Sequence, residues 1–271
     1  YIMPKISREW GVHGGIDPSE VERFLEQNPK CKSVFAVSPS YYGFCSDIRR
    51  LAEICHNKNI PLIVDEAHGA HCYFSELLPE GAIAAGADVC SQSIHKVTGS
   101  LTQSSMLHVR SDRVNLASLE ANLHVVQSTS PSYLLMTSLD LARHELAVRG
   151  KELIANAVAL ADYARRQIDD IDGIHYIGED MIGTNAIADF DRTRLVISAK
   201  ELGITGFELK SLLFDEFNID LELSDYLNAL AIISYANTKD DIDKLLAALK
   251  AIAKERAGGK PIRNEINLPS I

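Results

Sequence analysis

Pro61-Leu62-Ile63-Val64-Asp65-Glu66-Ala67-His68-Gly69 is an all-apolar run closed by an acid and a glycine-terminated turn. A continuous apolar run of this length reads as a strand buried on both faces, the kind found in parallel sheets. Lys96, thirty-one residues after Asp65, closes Ser91-Gln92-Ser93-Ile94-His95-Lys96, at the end of another short strand at Asp88 to Ser91. Upstream, Ser33 to Ser38 is a third apolar strand bounded by Pro39. Between them, Ile48, Leu51, Ala52 and Cys55 recur at helical spacing from Ser46 to about His56. Strand, helix and strand alternate, so the chain is α/β, with a mostly parallel sheet, flanking helices and a ligand site beyond the strands' carboxyl ends.

The flanks extend this order. Asp17-Pro18-Ser19-Glu20 is a helix start that runs to about Gln27. A short helix near Ala82 to Ala85 and an alternating strand from Ser104 to Val109 are expected. From Pro131 to about Ile168 the pattern is one long helix. Strands at His175 to Ile177, Arg194 to Ser198, Ile219 to Leu223 and Leu230 to Tyr235 follow, with helices at Phe207 to Phe217 and Lys239 to Lys254. The division expected is a large domain over residues 1–145 and a smaller C-terminal α+β domain over 146–271, compact to about 256 and extended after Ala257. The first few residues read as the end of a strand, and an N-terminal portion is expected to be missing.

Composition narrows the partners. The net charge is −10 and no Lys/Arg run occurs, which argues against nucleic acid and for a small-molecule substrate. No apolar stretch has the length of a membrane-spanning helix, and the start has no signal-peptide pattern. Five scattered cysteines without a C-x-x-C pair suit a reducing, cytoplasmic setting. Cys45, in a Tyr/Gly-rich loop, is the one to watch, though a buried thiol is the commoner outcome.

An acid ending one strand and a lysine just past the next can grip opposite ends of pyridoxal 5'-phosphate. That cofactor needs an amine that holds it as a Schiff base and an anion at its pyridine nitrogen. Lys96 and Asp65 match those roles, Ser93 and His95 are the favoured phosphate donors, and Ala67 is small enough to lie against the ring. His68 faces cofactor or substrate, while His71 and His108 are structural. The His68-x-x-His71 pair has no third ligand at metal-site spacing, so no metal is expected. Tyr41 and Tyr42 either line the substrate pocket or pack on a core edge. Taken singly, an acid at a strand end is more often a turn cap and a lysine after a strand more often solvated; their conjunction carries the reading. Asp65-Glu66-Ala67-His68 also spells a helicase box, but no G-x-x-x-x-G-K-[ST] loop accompanies it.

With these motifs the chain resembles the Orn/Lys/Arg decarboxylase family of fold-type I pyridoxal-phosphate enzymes, related to aspartate aminotransferase. Pro39-Ser40-Tyr41-Tyr42-Gly43, Thr102-Gln103-Ser104 and Ser128-Thr129-Ser130-Pro131 belong to the same likeness. The resemblance implies decarboxylation of arginine, lysine or ornithine in a homodimer or higher homo-oligomer. It places Lys96 on the cofactor, Asp65 at the pyridine nitrogen, Ser93 and His95 at the phosphate, and Ser128 or Thr129 at a partner's phosphate. Lys96 or His68 would return the proton to the α-carbon. The alternatives are another fold-type I enzyme, such as an α-oxoamine synthase or aminotransferase, and a non-catalytic paralogue.

Overall fold

The computed structural model describes residues 1–262. A short hairpin, β1 (Ile6–Ser7) with β2 (Val12–His13), opens the chain. Residues 1–5 form no strand, which corrects the expectation for the start. Helix α1 (Pro18–Gln27) begins as its sequence requires, with Pro18 in the first turn and the Asp17 carboxylate accepting the Ser19 N–H. Strand β3 (Val34–Val37), the two-residue β4 (Phe44–Cys45), α2 (Ile48–Asn57) and β5 (Leu62–Asp65) follow. Then come β6 (Val89–Gln92), the single turn α3 (Ile94–Val97) and β7 (Met106–Val109).

These strands form a sheet in the order β3-β5-β6-β7, in which the first two pairings are parallel and β7 runs antiparallel to β6. The expected helix at Ala82 to Ala85 is only a turn, closed by the Ala85 N–H on the Gly81 carbonyl and ended by Gly86 at φ +107°. One face of the sheet, with Ala36, Leu62, Val64 and Cys90, packs on Val21 and Leu25 of α1 and on Leu51, Ile54 and Cys55 of α2. The opposite face is open: Phe35 is 61% and Val37 50% exposed. Asp65 is paired in register between Val37 and Ser91, so it stands on that open face.

Helix α4 (Leu116–Val126), which the sequence reading did not anticipate, leads to the 36-residue α5 (Tyr133–Ile168). The second sheet combines β8 (His175–Ile177), β10 (Arg194–Ser198), β11 (Leu223–Ser224) and β12 (Ala229–Ile232), all antiparallel, in the order β11-β12-β10-β8. Strand β9 (Asp189–Phe190) instead pairs with β4, tying the two parts of the chain together. Helices α6 (Gly206–Phe217) and α7 (Lys239–Glu255) close the second core, where Leu209, Leu213, Leu245 and Leu249 meet Leu195 and Ile197.

The strand expected from Ile219 shrinks to Leu223–Ser224, because the Lys210 ammonium takes the carbonyls of Leu221 and Glu222. The strand expected to Tyr235 stops at Ile232, where the Asn237 side chain accepts the Ser234 N–H and turns the chain. Most of the expected extended tail, residues 263–271, lies outside the described residues.

Candidate active site

Strand β5 is central in its sheet, so its carboxyl end opens where a parallel sheet collects ligands. The turn after it is held from both sides. Asp65 Oδ1 accepts the Ala67 N–H at 2.9 Å. Glu66 turns the other way and is 2% exposed. Its carboxylate accepts the Ala82 N–H (2.6 Å), Gln92 Nε2 (2.7 Å), the Tyr73 hydroxyl (2.9 Å) and the Cys90 thiol (3.4 Å). Burial pushes the Glu66 carboxyl up, against the downward pull of those donors. Gly69 completes the turn, since a Cβ there would lie 2.6 Å from Glu66 Cγ.

Lys96 lies in α3, one step past β6, and its ammonium nitrogen is 3.4 Å from His68 Nε2. An ammonium has no lone pair, so Lys96 donates and His68 Nε2 accepts. The His68 proton then sits on Nδ1, a buried atom with no partner among the described residues. Burial, then the positive charges of Arg194 and Lys96, pull the His68 pKa down to about 3, so the ring is neutral. The Tyr41 ring packs 4.2 Å from it, and the Tyr41 hydroxyl donates to Glu222. Burial first, and Glu222 second, push the Tyr41 phenol up to about 12. Asp65, Ala67, His68, Lys96, Tyr41 and Val37 all border one cavity of about 670 Å³ over the open sheet face.

The other anticipated residues are not all gathered there. Ser93 is the residue before α3 and makes no capping bond with its hydroxyl. His95 Nδ1 meets the Ser104 carbonyl at 2.8 Å; a carbonyl only accepts, so Nδ1 carries the proton and Nε2 remains open. Neither Ser93 nor His95 borders the cavity, although both adjoin Lys96 in sequence. Ser128 and Thr129 lie exposed between α4 and α5, and they too do not border it. His71 diverges from His68: its Nε2 meets Asp191 Oδ2 at 3.0 Å. No group of three metal-ligating side chains forms among the described residues. Cys45 is buried, and burial pushes its thiol well up, so it is no nucleophile.

A buried group that the sequence reading missed stands behind this turn. Arg194, 0% exposed, bonds Asp191 through Nε (3.1 Å) and the His68 carbonyl through NH2 (3.1 Å). Burial would raise the Asp191 carboxyl, but the neighbouring His71 and Arg194 win and hold it well below the usual carboxylate range. The signal was present: an arginine opening an otherwise apolar strand needs a buried partner.

A strand-end acid and a lysine converging on one cavity, in an α/β sheet followed by an antiparallel α+β unit, make this a fold-type I architecture of the pyridoxal-phosphate enzymes. Among solved structures, lysine decarboxylase A from Pseudomonas aeruginosa superposes with a TM-score of 0.79 at 20% identity, covering 94% of this chain and 42% of that one. A NifS-like protein from Rickettsia africae gives 0.70 at 17% identity, covering 93% and 69%. The chain belongs to the Orn/Lys/Arg decarboxylase family: the profile of that family's major domain matches residues 1–241. It is 42% identical over 253 residues to a protein named arginine decarboxylase from Halalkalibacterium halodurans, covering 93% of this chain and 52% of that protein. The chain thus spans about half the length of the curated relatives it matches.

Proposed function

We propose that this chain carries the lysine-bearing part of a pyridoxal-phosphate-dependent decarboxylase of a basic amino acid: arginine, lysine or ornithine. The observation that carries the reading is the shared cavity of Asp65 and Lys96, with a buried His68 Nδ1–H left without an acceptor at its edge. These residues fit the cofactor: an amine, a carboxylate and the small Ala67 border one cavity. Bound there, pyridoxal phosphate would supply the sink for the electron pair left by loss of CO2.

The chain's own groups divide the remaining work. Lys96 Nζ would hold the cofactor's aldehyde carbon. The Asp65 carboxylate would stand at the ring nitrogen, and Ser93 and His95, which adjoin Lys96 in sequence, would serve the phosphate. His68 is too weakly basic to hold a proton near neutrality, so its Nε2 accepts from Lys96 and Lys96 Nζ, not His68, would be the proton donor to the α-carbon. Ser128 or Thr129 would reach a partner's phosphate in a homodimer. Helix α4 favours such an assembly, because it is rich in Leu and Val and buries no residue in the single chain. The thiols of all five cysteines are unpaired, which suits the cytoplasm.

The test is borohydride reduction of the protein mixed with pyridoxal phosphate, followed by peptide mass mapping. The expected result is a yellow protein with the reduced adduct on Lys96, lost in Lys96→Ala, and CO2 release from one of the three amino acids. An adduct spread over surface lysines, unchanged in Lys96→Ala, would overturn the assignment.

A further inference from the structure

Asp191 and Arg194 stand at the two ends of the turn between β9 and β10, which is closed by the Arg194 N–H on the Asp191 carbonyl at 3.0 Å. Both side chains are fully buried. A buried ion pair adds little stability over apolar side chains of the same size, so its presence asks for another reason. What the pair holds is the turn after β5. There the Gly69 N–H donates to the Glu66 carbonyl (2.9 Å) and the Cys72 N–H to the Gly69 carbonyl (3.0 Å), so these turns use carbonyls before and after His68 but not its own. A buried carbonyl needs a donor, and Arg194 NH2 supplies one to His68 at 3.1 Å. Asp191 Oδ2 meets His71 Nε2 at 3.0 Å and accepts Arg194 Nε at 3.1 Å, while Oδ1 accepts the N–H and hydroxyl of Thr193.

One ion pair at the entry to β10 therefore grips the turn of the first sheet at two points, the His68 carbonyl and the His71 ring. The arginine is itself confined. A Cβ on Gly43 would lie 2.5 Å from Arg194 Cγ, and the Asp191 N–H donates to the Gly43 carbonyl at 2.8 Å. The Tyr41 ring packs on the His68 ring alone and leaves the backbone to Arg194. We infer that Arg194 and Asp191 are positioning residues for Lys96: by fixing the backbone at His68 and the ring of His71, they hold His68 Nε2 where it accepts the Lys96 N–H. Which imidazole nitrogen carries the proton is set by the bond that the other makes, so the clamp also fixes His68 as the Nδ1–H tautomer. The clamp itself follows from the hydrogen bonds; its service to the reaction rests on the cofactor reading of Lys96.

The tautomer is read in the full chain, without cofactor, from the nitrogen NMR shifts of the imidazole rings, with His68→Asn identifying the His68 signals. The unmodified protein is expected to show a single Nδ1–H state. Arg194→Met combined with Asp191→Asn removes both charges together, a change that folds with buried pairs often survive, and should turn His68 into a mixture of the two tautomers. Arg194→Lys with Asp191 retained keeps a cation and a donor, and should keep the Nδ1–H state in the larger fraction. A His68 proton on Nε2 in the unmodified protein, or an unchanged Nδ1–H ring in the folded double variant, would overturn the inference; the first result needs no variant to fold. Borohydride mapping of the same samples separates the two readings: the expected tautomers with no adduct on Lys96 would count against the cofactor and for the clamp.

Discussion

His68 is where distant parts of the chain meet at a single residue. Its ring lies on Tyr41, its Nε2 faces Lys96 and its carbonyl is held by Arg194. Its folded pKa of about 3 lies below the ~6.5 of an unfolded chain. The unfolded state therefore binds the extra proton first. The stability that His68 contributes is complete above about pH 6.5 and is lost as pH falls towards its folded value. Urea-unfolding midpoints measured from about pH 7 to about pH 4 should fall more steeply for the native chain than for His68→Asn, and parallel curves would contradict the neutral buried ring. Asp65, Lys96 and His68 were legible because strand ends and a short loop place them, a local matter. Arg194 and Glu222 were not, since their partners His68 and Tyr41 stand 126 and 181 residues away in sequence. A pattern read along one strand says that Arg194 needs a counter-charge, which Asp191 provides three residues away, but not that its guanidinium also reaches the His68 carbonyl.

Among the elements, those with both a start signal and a buried apolar stripe were readable. Helix α7 is the plainest case, where Thr238 and Asp241 form a reciprocal capping box. Thr238→Ala should lower the unfolding free energy by about 1 kcal/mol, visible as a shifted denaturant midpoint with an unchanged slope. No shift would mean that the frayed end carries no stability. Helix α4 lacks the signal that makes a helix readable: Leu116, Val125 and Val126 are all exposed, so its apolar residues mark no buried stripe. The pairs β1–β2 and β4–β9 are two residues long and too short to show alternation. Their existence depends on the partner strand; β4 pairs with a segment about 145 residues later.

Over the whole molecule, apolar side chains gather outside the cores along one stretch of chain: Val125 is 83%, Tyr133 78% and Leu134 76% exposed. Exposed apolar surface of this kind marks an association face. Sedimentation velocity should find a dimer or larger assembly, and Leu134→Glu should convert it to monomer with its helix content intact; a monomeric native chain would refute the dimer reading. Helix α5, about 54 Å long at 1.5 Å per residue, has a different bearing. Ile154 and Val158 pack on Cys72 and Leu78 in the first half of the chain, while Ala161, Ala164 and Ile168 belong to the core of the second. A single rod thus serves two hydrophobic interiors within four turns, and neither can melt without stripping the helix from the other. The two lobes are bound into one cooperative unit, whose slowest-exchanging amides would lie in the middle of that rod rather than at the centre of either sheet.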